Sequence, residues 1–149
     1  MRQITIRLVV DVVSVLETDS LTRHLFMFDN NRLHGSLDQN TSHLATAVAP
    51  GDQIIWSVVP IECEAYAALS AVDVPAEFVE VTKNTYPGTN VSYWTGVVKK
   101  PVGDLSYGLT FELGTKTKTV STDRTSRLID ANGVQRTSTE TSETSETAA

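Results

Sequence analysis

The stretch "LSYGLTFEL", Leu105 to Leu113, alternates without a break. Leu105, Tyr107, Leu109, Phe111 and Leu113 fall on one side of an extended chain, and Ser106, Gly108, Thr110 and Glu112 on the other. Successive side chains of a strand point to opposite faces, so this spacing predicts a strand with one buried and one solvent face. A helix would need apolar residues three and four apart.

The same signal recurs from the N-terminus onward. Ile4, Ile6, Leu8, Val10 and Val12 alternate with polar neighbours, interrupted only by Val9, which predicts a long strand over Ile4 to Val12. "EFVEVTK", residues 77–83, alternates as well, and His24 to Asp29 reads as a strand left through a polar connection over Asn30 to Asn40. Pro-Gly turns in "APGD" and "YPGTN" open the runs "QIIWSVVPI" and "VSYWTGVVKK", because proline presets φ and glycine accepts positive φ. "PVGD" then joins the second run to the Leu105 strand and predicts a hairpin over residues 91–113. "ECEAYAALSAV", residues 62–72, is rich in helix formers, with Ile61, Ala65, Leu69 and Val72 at helical spacing. Its weaker alternation through Ala65, Ala67, Leu69 and Ala71 favours a strand, since tertiary pairing overrides propensity.

Short strands at regular spacing, with no long helix, predict an all-β fold, an antiparallel β-sandwich of about 7–9 strands. The sandwich is expected to occupy residues 1–134. Residues 135–149 repeat Thr, Ser and Glu with no side chain more apolar than alanine, so a disordered tail is expected there.

Composition narrows the function classes. The chain has 149 residues, enough to bury a core without staples, and its formal net charge of −6 argues against broad binding to nucleic acid or an anionic membrane. A single cysteine, Cys63, cannot close an internal disulfide, and Glu62 and Glu64 beside it oppose thiolate formation. The N-terminal run is broken by Arg7 and Asp11 and reads as neither leader nor membrane span, so a cytoplasmic location is expected.

Candidate chemistry is sparse. His24, His34 and His43 lie at no recognised zinc spacing, so neither a metal site nor a catalytic site is expected from them. Asp29, Asn30 and Asn31 offer oxygens, but without the alternating acidic spacing of a calcium loop, and their residue types suit a tight turn. No nucleophile elbow or phosphate loop occurs, so no cofactor and no enzymatic activity are expected. Trp56 and Trp94, with Asp29, Asn30 and Asn31 at a loop end, form the candidate ligand-binding set, in which aromatic faces would stack on a carbohydrate ring.

Three segments, "ITIRLVVDVVSVL", "YWTGVVKK" followed by "LSYGLTFEL", and "TDRTSRLID", resemble the AidA/PixA family of bacterial inclusion-body proteins across most of residues 3–130. The chain departs from that family after the first strand, where "TDSLTRHLFMFDNNRLHGS" replaces a Pro/Asn-rich stretch, and near the end, where Asp123-Arg124 stands in place of Asp-Pro. The resemblance implies an immunoglobulin-like sandwich in the bacterial cytoplasm and supplies no catalytic residues. The expected function is therefore non-enzymatic self-assembly or protein binding, with carbohydrate binding as the alternative.

Overall fold

The computed structural model describes residues 2–62, 64–89, 91–114 and 118–131. Cys63 and the tail expected over residues 135–149 lie outside the described residues. Within them the fold is an all-β sandwich of two packed sheets, as the alternation predicts.

The first sheet has the order β2-β1-β4-β7-β6, built from β1 (Gln3–Val10), β2 (Leu25–Asp29), β4 (Gln53–Pro60), β6 (Val79–Thr85) and β7 (Ser92–Val98). The second has the order β3-β10-β8-β5, from β3 (Ala45–Val48), β5 (Ala67–Asp73), β8 (Asp104–Leu113) and β10 (Ser126–Asp130), while β9 (Lys118–Ser121) pairs with the far half of β8. The described residues thus form ten strands, and the sheets are mixed rather than wholly antiparallel. β1 runs parallel to β4 and β3 parallel to β10, because intervening elements return the chain in the same direction before each pair forms.

Residues 62–72 contribute β5, in agreement with the strand reading. Two other local expectations are corrected. The first strand ends at Val10, and a short helix α1 (Val12–Thr18) follows. Asp11 caps it, its carboxylate accepting from the Ser14 N–H and hydroxyl, while the Glu62 carboxylate accepts from the Val12 and Val13 N–H groups. Hydrogen bonding with Glu62, and then with Ser14, holds the Asp11 carboxyl below its ordinary value. Val12 is buried as the alternation demands, but from the helix together with Val15.

The hairpin expected over residues 91–113 does not form, because β7 and β8 lie in opposite sheets. The "PVGD" segment crosses between them. Val102 is buried, Gly103 takes φ +67°, and the Asp130 carboxylate accepts from both their N–H groups. The actual hairpin is β6–β7, turned by Tyr86 to Thr89, where the Tyr86 carbonyl accepts from the Thr89 N–H.

The inner faces of both sheets supply a single apolar core. Ile4, Ile6, Leu8 and Val10 of β1, Ile54 and Trp56 of β4, and Tyr107, Leu109, Phe111 and Leu113 of β8 are buried within it. Gly96 faces the same interior, where a Cβ would lie 2.8 Å from Val79 Cγ1 and 3.0 Å from the Trp56 ring. Only a hydrogen there leaves room for the Val79 side chain and the indole as they stand.

Candidate functional site

Strand register brings three of the sequence-selected residues onto one row. Asp29 of β2 pairs with Ile6, Ile6 with Trp56, Trp56 with Trp94, and Trp94 with Lys83, so the row crosses all five strands of the first sheet. That row is on the inner face. Trp56 is fully buried and donates its Nε1–H to the Tyr107 hydroxyl at 3.2 Å, the two rings meeting edge to face at 5.9 Å. Burial pushes the Tyr107 hydroxyl up to about 12, with a smaller upward contribution from the charge of Asp29. Trp94, half-buried, donates to the Leu69 carbonyl of β5 at 2.7 Å and so ties one sheet to the other.

The polar members of the set are engaged in the same way. The Asp29 carboxylate accepts from the Asn31 N–H at 3.0 Å and from the Gln39 amide at 2.8 Å, while its other oxygen is buried without a partner among the described residues. Asn30 accepts from the Thr5 N–H at 3.1 Å, and Asn31, buried, donates its side-chain amide to the Ala47 carbonyl. Trp56 therefore offers no stacking face to solvent, whereas Trp94 is half-buried and Asn30 exposed, and the polar side chains of the set are bonded within the fold. The sequence pattern could not reveal this, since "QIIWSVVPI" is almost continuously apolar and assigns no face to Trp56.

The connection between β2 and β3 covers two sheet edges at once. Along β2, the Met27 N–H donates to the Thr41 carbonyl, the Asn40 N–H to the Met27 carbonyl, and the Asp29 N–H to the Gln39 side chain. Along β3, Leu37 and Ala45 exchange backbone bonds, the Ala47 N–H donates to the Ser36 hydroxyl at 2.9 Å, and Asn31 reaches the Ala47 carbonyl. A row of open N–H and C=O groups invites pairing with another chain, and here backbone and side chains of the connection close it. The edges at β5 and β6 are also blunted. β5 carries a register shift between Leu69 and Ala71, and β6 presents Lys83 on its inward row.

The outer faces of the two sheets differ. On the second sheet, Ser106, Gly108, Thr110 and Glu112 of β8 face outward, flanked by the ion pairs Arg124–Asp73 and Arg127–Asp104. On the first sheet, register places Phe26, Val9 and Val59 on one outward row and Phe28, Arg7 and Ser57 on the next, while Ile55 lies between Thr5 and Thr95, and Val97 between Gln53 and Glu80. Phe28 and Val59 are 39% and 36% exposed, so with Val9 and Phe26 they form a small apolar patch at one end of an otherwise mixed face. An exposed apolar patch rimmed by polar residues is a candidate interaction site.

Among the described residues no group of three or more histidine, cysteine, aspartate or glutamate side chains converges as metal ligands would. His34 ends a single turn of 3-10 helix over Arg32–His34, whereas His24 precedes β2 and His43 precedes β3. Nor is any helix of the described residues long and apolar enough to cross a membrane.

The fold resembles the crystal structure of the inclusion body protein PixA from Burkholderia cenocepacia J2315, with a TM-score of 0.66 and 14% sequence identity over 88% of this chain and 93% of that one. At that identity the likeness is one of fold, and it agrees with the AidA/PixA resemblance read from the strand pattern. No curated protein sequence matches the chain. Residues 2–119 match the family model described as "Domain of unknown function (DUF8788)", and the chain belongs to that family.

Proposed function

We propose that this chain is a non-enzymatic bacterial protein that works in the cytoplasm by self-association, through the outer face of its first sheet. The observation that carries the reading is the apolar patch of Val9, Phe26, Phe28 and Val59 on the outer face of the first sheet, where the outer face of the second is set with charges and hydroxyls. Covered or blunted edges direct association toward that face and away from edge-to-edge pairing. The name of its structural neighbour, an inclusion body protein, is consistent with a fold suited to accumulation in assembled form.

Face-to-face stacking of two such sheets would set them about 10 Å apart, as in the interior of a sandwich. Sedimentation velocity of the purified chain across a concentration series tests the proposal. A discrete dimer or larger species is expected as concentration rises, and a single monomeric boundary throughout would count against it. Association with a different protein through the same face would appear as a monomer alone and a complex only on mixing.

A further inference from the structure

A cleft of about 540 Å³ opens at the end of the sandwich where the segment leading into β2 meets the loop before β3. Small-ligand sites commonly measure roughly 300–1,000 Å³. One segment supplies Thr22, Arg23 and Phe26, and the other supplies Asn40, Ser42 and His43. Both walls are held in place. Arg23 and Asn40 adopt left-handed backbone, with φ of 69° and 68°. Asparagine tolerates that region, whereas an arginine there needs the surrounding structure to hold it. The Asn40 N–H donates to the Met27 carbonyl at 2.8 Å, and the Thr125 hydroxyl donates to the Ser42 carbonyl at 2.8 Å.

Two features set the chemistry of the cleft. In a chain of net charge −6, its lining holds an arginine and a histidine and no carboxylate. The side chains of Arg23, Asn40, Ser42 and His43 also make no hydrogen bond or ion pair among the described residues, whereas those of Asp29, Asn30 and Asn31 are engaged within the fold. Exposed donors without internal partners, carried on a backbone that is held and set beside the half-buried ring of Phe26, suit a ligand with an acidic head and an apolar body.

We infer that this cleft binds a small organic anion, its carboxylate or phosphate held by the Arg23 guanidinium with His43, and its ring or aliphatic part against Phe26. Titration of the full chain with phenyl phosphate, benzoate and inorganic phosphate, followed by NMR chemical shifts, tests the assignment. Saturable shifts confined to residues 22–26 and 40–43 are expected, and the tighter of phenyl phosphate and benzoate identifies the acid group. Inorganic phosphate, lacking the ring, is expected to bind about tenfold more weakly than the tighter organic probe. Arg23→Gln is expected to weaken that probe about tenfold while the remaining spectrum is unchanged. If Arg23→Gln does not fold, His43→Asn serves as the same test. The absence of shifts at millimolar probe, unsaturable shifts spread over all basic residues, equal affinity for inorganic phosphate, or unchanged affinity in the folded variant would each overturn the inference. Solution mass recorded on the same samples separates this result from that of self-association.

Discussion

The indole N–H of Trp56 donates to the hydroxyl of Tyr107 across the interior, joining β4 of the first sheet to β8 of the second. Both side chains are fully buried, so the bond forms where water cannot substitute for it. Tyr107→Phe leaves the indole N–H without this acceptor. The expected cost is about 1–3 kcal/mol, read as a lower denaturant midpoint with an unchanged slope.

The same hydroxyl makes stability depend on alkaline pH. Its folded value is raised to about 12 from an ordinary value of 10.0, so the folded state holds the proton more tightly than the unfolded state. The resulting stabilisation is fully present below pH 10 and is lost as pH rises toward 12. Denaturation measured across that window is expected to show a steeper loss in the wild type than in Tyr107→Phe, and parallel curves would contradict the assignment.

Asn31 protects the edge of β3. Its amide reaches the Ala47 carbonyl from a buried position, so Asn31→Ala removes the bond and leaves that carbonyl open. A loss of about 1–3 kcal/mol is expected, with faster amide exchange along Ala45–Val48. Unchanged exchange there would show that the connection covers the edge without Asn31.

Gly96 marks the tightest packing beneath Trp56. The added methyl of Gly96→Ala would meet Val79 and the indole at distances that require both to move. Overpacking of this kind costs about 1–3 kcal/mol, and thermal unfolding provides the measurement. Because Trp56 is displaced, its fluorescence spectrum is expected to shift in the folded variant.

The all-β sandwich was legible because alternation is a local property, and "LSYGLTFEL" carries it wherever the strand is placed. Pairing is not local. Nothing in "YWTGVVKKPVGDLSYG" distinguishes a hairpin from a crossing between sheets, since proline and glycine serve either turn. The break after Val10 was hidden because Val12 satisfies both the strand alternation and the buried side of a helix, while the Glu62 carboxylate that meets the helix start is distant in sequence.

The candidate site was less legible for a related reason. Aromatic residue type suggests a platform or a core equally well, and only register puts Trp56 and Trp94 on the inner face. The apolar outer patch is assembled from β2, β1 and β4, of which β1 alone showed both faces clearly in its own alternation. The cleft likewise joins residues 22–26 to 40–43, and the sequence signalled it only by gathering all three histidines between His24 and His43.

Association through the outer face of the first sheet is tested most directly by light scattering on the wild type and on Phe28→Lys and Val59→Lys, each across the same concentration series. The exposed positions leave the core untouched, so the variants are expected to fold with unchanged stability, within about 0.5 kcal/mol. The expected result is a wild type whose mass rises to a discrete oligomer and variants that remain monomeric at the same concentrations. A monomeric wild type, or an oligomer undiminished by either lysine, would contradict the account.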